Sequence, residues 1–261
     1  MSSPQHLPRC LGVTLNVRNV ELASLFYRDV LGFRQSGGQL MLGGFTLRLR
    51  KATGRPIPRD SSSHDHWFRH FAIVVRDMPA AVLRLAESNV ELISACPQTL
   101  PEWNREAGGI KALYFRDPDR HPLELIQFPP GKGKKIWRKP GSSVFQGVDH
   151  TAVVVAVSSS GLEFYRDFLG FEVTATSLNF GAEQEKLSGV HDPVVRVTTL
   201  NGRGDCGIEL LEYERPRDGR PQPADTNSED LWWAESLIES SGDRPAGTVL
   251  RDSDGHGVHL I

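Results

Sequence analysis

Two histidines on strand-like runs are the side chains of this 261-residue chain whose type and placement first suggest chemistry. His70 lies in Phe68-Arg69-His70-Phe71-Ala72-Ile73-Val74-Val75, and His150 in Val148-Asp149-His150-Thr151-Ala152-Val153-Val154-Val155. A neutral imidazole binds metals and carries protons near physiological pH. Two carboxylates share this kind of setting, Glu124 between Leu123 and Leu125 and Glu209 between Ile208 and Leu210. Neighbours on a strand point to opposite faces, so each Glu lies opposite its apolar neighbours, and a solvated outward carboxylate is the plain reading. A lone strand histidine is likewise more often a packed or surface residue than a ligand. Repetition is what sets His70 and His150 apart.

The chain repeats itself. Gly54-Arg55-Pro56-Ile57-Pro58-Arg59-Asp60 is answered at an offset of 165 by Gly219-Arg220-Pro221-Gln222-Pro223-Ala224-Asp225, which sets Trp67 on Trp232 and His70 on Glu235. Phe26-Tyr27-Arg28-Asp29-Val30-Leu31-Gly32-Phe33 is matched at an offset of 138 by Phe164-Tyr165-Arg166-Asp167-Phe168-Leu169-Gly170-Phe171, which sets His150 on Gly12. The run around Glu209 aligns with Leu47-Arg48-Leu49 at an offset of 161, so 161 − 138 = 23 residues are inserted in the third copy, spanning much of 177–197. The last eleven residues match 116–126 at an offset of 135, so 165 − 135 = 30 residues are missing from the fourth copy.

Each copy reads as strand, helix, then strands. The first has a strand over 12–17, a helix capped by Asn19 with Leu22, Leu25, Phe26 and Val30 on one face, and strands over 39–42 and 46–50. The second has a strand over 71–75, a helix capped by Asp77 with Val82 and Leu85 inward, a strand over 90–94, and a hairpin of 111–115 with 123–128 around Asp117-Pro118-Asp119-Arg120. Residues 129–145, rich in Gly, Pro and Lys, form the linker between 8–128 (copies one and two) and 146–261 (copy three and the shortened copy four). The short basic run Lys132-Gly133-Lys134-Lys135 fits a solvated part of that linker.

A net charge of -2, with 39% hydrophobic and 24% charged residues, describes a globular protein with no electrostatic case for nucleic acid or an anionic membrane. Cys10, Cys96 and Cys206 fit neither a disulfide framework nor a zinc ribbon, which favours a reducing compartment. The opening residues contain no apolar leader and no run is long enough to span a bilayer, so a cytoplasmic protein is expected. The exposed edge of the shortened fourth copy offers a place for a homodimer contact.

With Phe-Tyr-Arg-Asp-x-Leu-Gly-Phe in the odd copies and Phe115-Arg116-Asp117-Pro118-Asp119-Arg120-His121-Pro122-Leu123-Glu124-Leu125-Ile126 in the second, the chain resembles the vicinal oxygen chelate superfamily, the group of glyoxalases, bleomycin-resistance proteins and extradiol dioxygenases. The resemblance implies an α+β fold of four tandem βαβββ modules, the fourth truncated, pairing into curved mixed-sheet cups with helices outside. It also implies a divalent metal in a cup, held by one residue from the first strand and one from the last strand of each module. Those positions are Gly12 and Arg48, His70 and Glu124, His150 and Glu209, and Glu235 and His259. Glycine has no ligand atom and a guanidinium repels cations, so the first copy contributes nothing. Pairing in chain order leaves neither cup with the full set. Pairing copy two with copy three, the preferred arrangement, gives His70, Glu124, His150 and Glu209 in one cup.

Such a set implies Zn, Ni, Mn or Fe, with Glu124 or Glu209 as a catalytic base. The activity implied is a glyoxalase-I-like lyase or isomerase acting on a small molecule. The alternatives are an extradiol dioxygenase, weakened because no His precedes Tyr114, and a metal-free small-molecule binder. His64 and His66 flank Asp65 but fall in a polar link and read as surface residues. Trp67, Trp232 and Trp233 read as packing residues. The inserted run Asn179-Phe180-Gly181-Ala182-Glu183-Gln184 is a candidate substrate-binding loop over the cup.

Overall fold

The structure, a computed structural model, describes residues 7–239 and 245–261. Met1 to His6, where the absence of an apolar leader was read, lie outside the described residues. Strand β1 (Arg9–Val17) leads to Asn19, whose side chain accepts from the Leu22 amide at 3.0 Å and starts helix α1 (Val20–Leu25). The helix widens into a π-type turn over Phe26–Val30. That turn rotates the inward face away from the expected one: Leu22 is 61% exposed, while Ala23, Phe26, Tyr27 and Leu31 are buried. Strands β2 (Arg34–Ser36), β3 (Gln39–Leu42) and β4 (Phe45–Lys51) follow.

Strand β5 (Arg69–Val75) carries His70, and helix α2 (Met78–Glu87) starts where the Asp77 side chain accepts from the Ala80 amide. The strand expected over 90–94 is a single bridge, Leu92 to Phe115. Ile93 and Ser94 both donate to the Tyr114 carbonyl, and this shared acceptor breaks the ladder's alternation. Short β6 (Gln98–Thr99) lies beside the hairpin β7 (Lys111–Arg116) and β8 (Pro122–Gln127). After one 3₁₀ turn at Lys135–Arg138 come β9 (Phe145–Val154), α3 (Ser158–Leu162) and β10 (Glu172–Phe180). Then come α4 (Ala182–Ser188), β11 (Val194–Asn201) and β12 (Gly207–Arg215). The chain closes with β13 (Ala234–Glu239), β14 (Val249–Arg251) and β15 (Gly257–Leu260), with no helix among the described residues after β12.

The strands form two mixed sheets, in the orders β14-β15-β13-β1-β4-β3-β2 and β10-β11-β12-β9-β5-β8-β7-β6. Strand β5 therefore lies beside β9, the preferred pairing of the His70 and His150 regions, and each sheet takes strands from both sides of 129–145. On the face of β5 away from His70, Phe71, Ile73 and Val75 join a core with Met78, Ala81 and Leu85 of α2. This core also takes in Tyr27 and Tyr165 of the repeated motif. Their hydroxyls donate to Asp117 (2.7 Å) and Asp252 (3.1 Å), so the helix motif and the turn motif are written twice because they bind each other twice.

The repeated Gly-Arg-Pro stretches also cross over. Arg220 grips Asp65 and Arg55 grips Asp230, each through a guanidinium contact of 2.7 Å, and each arginine lies 4.8 Å over Trp67 or Trp232 respectively. Both glycines are required for the approach: a Cβ on Gly54 would lie 2.3 Å from the Glu229 carbonyl oxygen, and one on Gly219 2.0 Å from that of His64. The basic run is a strap, which differs from the solvated reading. Lys132 Nζ donates to the carbonyls of Arg105, Glu106 and Gly108, and Lys134 Nζ to those of Asp149 and Asp205. A single ammonium has three donors to satisfy, and loop carbonyls supply them.

Candidate metal centre

Strand register brings the four singled-out side chains to one face. In the antiparallel pair of β5 and β9, His70 opposes Ala152 and Ala72 opposes His150, so the histidines sit diagonally with an alanine facing each. The parallel neighbours add Glu124 beside Ala72 and Glu209 beside Ala152. The small Ala72 and Ala152 leave the space between the rings open, with ring centroids 6.0 Å apart.

His70 Nε2 is 3.2 Å from Glu124 Oε2, and His150 Nε2 is 3.3 Å from the same oxygen and 3.4 Å from Glu209 Oε2. His70, Glu124 and His150 are buried, with their ligand atoms within 4.8 Å of one another, close enough for one ion. Glu209 stands slightly apart, with 19% of its side chain exposed and one oxygen held by the Thr199 hydroxyl at 2.9 Å. His150 Nε2 and His70 Nδ1 are buried without a hydrogen bond; the contacts of His150 Nε2 with the carboxylates are close but not aligned as hydrogen bonds. A purely structural histidine in a core would have these nitrogens satisfied.

The electrostatics fit a cation. Burial opposes ionisation of Glu124, yet the two imidazoles outweigh it and hold its carboxyl at about 2. Burial also opposes a charged His150, but Glu209, Asp149 and Glu124 around it push its pKa well above the ordinary value. Carboxylates that draw a proton this strongly also draw a metal, and binding would release that proton. Two nitrogens and two carboxylates match the donor chemistry of Zn²⁺, Ni²⁺, Mn²⁺ or Fe²⁺.

Asp149 was not among the residues singled out from the sequence. The ladder pairs Ala72 with His150 and Ile73 with Val148, which leaves Asp149 as an extra bulged residue. The bulge turns its carboxylate onto His150 Nδ1 at 3.3 Å, which leaves Nε2 facing the cup. Trp137 Nε1 donates to its other oxygen at 2.6 Å, and Lys134 Nζ lies 3.3 Å away. Against the effect of burial, His150, Lys134 and Trp137 lower its carboxyl to about 2. The sole sequence signal is its adjacency to His150.

The other candidates lie elsewhere. Glu235 and His259 are in the seven-stranded sheet, 3.5 Å apart, with Glu235 taken up by Arg50 at 3.0 Å and by Trp233 Nε1 at 2.8 Å. Gly12 has no room for a ligand, since a Cβ there would lie 1.8 Å from the Thr46 carbonyl oxygen. His64 pairs with Asp218 and His66 with Asp254, so they make no clip. Trp67, Trp232 and Trp233 are buried as packing residues.

A cavity of about 200 Å³ opens over Glu124, His150 and Glu209, walled by Tyr114, Leu187 and Leu211 among others. A larger cleft of about 750 Å³ lies on the outer surface around Arg18, Asp117 and Arg120, away from the histidines. Its Arg120 and Arg116 are paired with Glu91. The smaller cavity is the one that meets the chemistry.

Residues 9–125 match the family model described as the Glyoxalase/Bleomycin resistance protein/Dioxygenase superfamily. The match supports a place in this superfamily for that part of the chain. It is 28% identical over 118 residues to the metallothiol transferase FosB of Staphylococcus epidermidis, a match covering 43% of this chain and 78% of that protein. The same figures hold for the FosB of Staphylococcus haemolyticus. Among solved structures, glyoxalase I from Zea mays superposes with a TM-score of 0.61 at 15% identity, covering 97% of this chain and 92% of that one. At that identity the likeness is one of fold. The chain thus has the mixed α+β sheets that its motifs imply, with a buried His-Glu-His group on one of them. Among its described residues no helix is long and apolar enough to cross a membrane.

Proposed function

We propose that this chain is a metal-dependent enzyme acting on a small molecule, with glyoxalase-I-like proton transfer as its reaction. The observation that carries this reading is the convergence of four adjacent strands on one small, largely apolar cup, lined by Glu124, His150 and Glu209, with His70 Nε2 behind them at 3.2 Å from Glu124. His70 Nε2, Glu124 and His150 Nε2 would hold a divalent ion, with Glu209 as a fourth donor. The ion would polarise the oxygens of a bound carbonyl.

The two carboxylates take different roles. Glu124 is locked between the imidazoles and stays ionised, which suits a permanent ligand. Glu209 is more exposed and held by one hydroxyl, so it would leave the ion more readily, and its Oε2 could take a proton from the carbon beside the carbonyl and return it to the adjacent carbon. Tyr114, beside the His70 ring at 4.9 Å, is kept as a neutral phenol, its pKa raised well above normal by burial and by Glu124. The metal requirement implied by the FosB name and the fold of glyoxalase I agree with this reading. A catechol dioxygenase is the second reading, favoured by the His-Glu-His composition of the compact group.

The test is elemental mass spectrometry on protein purified without added metal, alongside His70→Ala, His150→Ala and His259→Ala. About one equivalent of divalent metal is expected in the wild type and in His259→Ala, and much less in the other two. Isomerisation of the methylglyoxal–thiol hemithioacetal, blocked in Glu209→Gln, would support the lyase; oxygen uptake with catechol would support the dioxygenase. A wild-type protein that takes up no metal even after soaking would leave a small-molecule binder.

A further inference from the structure

We infer that the cup selects a substrate whose arm is uncharged and apolar, and that Gln184 anchors this substrate by a hydrogen bond. This rests on the metal-cup reading proposed above. The wall of the cavity is built from side chains such as Leu100, Ile110, Phe128, Leu187, Val195 and Leu211, and among the described residues no lysine or arginine lines it. A divalent ion would balance Glu124 and Glu209, leaving Glu106 as the remaining charge on the lining. A carboxylate or phosphonate on the arm would therefore lose its water, meet no cation and face a like charge.

Beyond His150 of the metal group, Gln184 is a polar side chain that this wall leaves with an unpartnered atom. Only 4% of it is exposed, it lines the cavity, and its Oε1 is buried with no hydrogen-bond partner. The neighbouring Asn179 and Thr199 are engaged: Asn179 Oδ1 accepts from Asn104 at 2.6 Å and from Ser177 at 3.0 Å, and the Thr199 hydroxyl donates to Glu209. An amide has donors and an acceptor on one freely turning plane, so it serves a hydroxyl, an amide or a carbonyl equally. A buried acceptor without a donor is costly, and a ligand donor would relieve it.

The mount is rigid. Gln184 sits on α4, within the stretch by which the repeat comparison lengthens the third copy. Ser63 donates to the Ser188 carbonyl at 2.7 Å and Ser94 to that of Leu187 at 2.6 Å, while Ser188 Oγ donates to the Gln184 carbonyl at 2.9 Å. The helix that carries Gln184 is thus fixed through its backbone before any ligand arrives, which is what the mount of a specificity residue needs.

The probes are benzohydroxamate and 4-carboxybenzohydroxamate, identical metal-chelating heads whose arms differ by one carboxylate. Their affinities are measured by calorimetry for the full chain with and without zinc, and bound zinc is counted separately. The uncharged probe is expected to bind at least about tenfold more tightly than the carboxylated one. Gln184→Leu is expected to weaken the uncharged probe by about tenfold while keeping its zinc, and Gln184→Glu, which keeps the side-chain length, to weaken the carboxylated probe further. Equal or tighter binding of the carboxylated probe would overturn the selectivity. Unchanged affinity in both variants would overturn the role of Gln184. Loss of zinc binding in the wild type would instead count against the metal reading, and the ratio of the two probes in metal-free protein would still decide the arm preference.

Discussion

Asp149 reaches His150 through a one-residue bulge, and the two form a unit that strand periodicity does not predict. The carboxylate accepts on Nδ1 and leaves Nε2 facing the cup, so Asp149→Asn is expected to keep the fold and weaken metal affinity roughly 10- to 100-fold, read by competition with a chelator. The histidines themselves were legible, because repeats set His70 and His150 at equivalent places on their strands. The matching positions in the other sheet show why the pattern lapses there. At Gly12 any side chain meets the Thr46 carbonyl, so Gly12→Ala is expected to cost about 3 kcal/mol in denaturant unfolding. An unaltered unfolding midpoint would mean that β1 and β4 can separate freely at this point.

At the level of elements, the crossed Gly-Arg-Pro stretches show how a repeated sentence becomes a repeated structure. Asp65 accepts from the Ser62 amide, the Arg220 amide and two guanidinium nitrogens, and Asp230 does the same with Asn227 and Arg55. Burial raises the Asp65 carboxyl, but the arginine fork and the amides outweigh it and hold the pKa below the usual 3.8. A carboxylate lowered on folding contributes stability fully above its unfolded pKa and loses it as pH falls through the lower folded value. Asp65→Asn is therefore expected to cost about 2 kcal/mol at pH 7, discounted for the partly exposed arginine, and less at pH 3. Urea titrations at both pH values check the sign. A gap that widens in acid would mean another group carries the effect. Helix α1 marks what the elements did not disclose: Phe26 faces inward as its stripe predicts, but Leu22 and Leu25 of the same stripe are exposed while Ala23 and Tyr27 are buried, with a π-type turn following Leu25.

For the whole molecule, the interleaving of the two sheets matters most. Strand β1 from the start pairs with β13 near the end, and β5 pairs with β9 across the strap of 129–145. Cys10 and Cys206, both free, meet at 3.5 Å where the sheets adjoin. A fragment ending at 128 would keep His70 and Glu124 but lose His150, Glu209 and the strands β13 and β9 that pair with one edge each of β1 and β5. Such a fragment is expected to bind no metal and to associate through its open edges, with binding restored on mixing with 146–261. Size-exclusion chromatography with metal analysis reads both outcomes. A monomeric fragment that binds metal alone would show that the halves are independent.

The sequence by itself determined the strand-helix-strand order, the α+β class, the family resemblance and the pair of histidine-bearing strands, because these rest on local patterns and on repetition within one chain. Tertiary structure decided which strands became neighbours and so which residues share a cup. Spacing along the chain does not say whether the strand of His70 pairs forward with that of His150 or backward with β1; the complementary edges of the folded sheets do. The bulge at Asp149 belongs to that pairing, and the turn after α1 and the unpaired Gln184 Oε1 are likewise seen only in the folded chain. Each depends on what lies across from a residue in space, which a single strand's sequence leaves open.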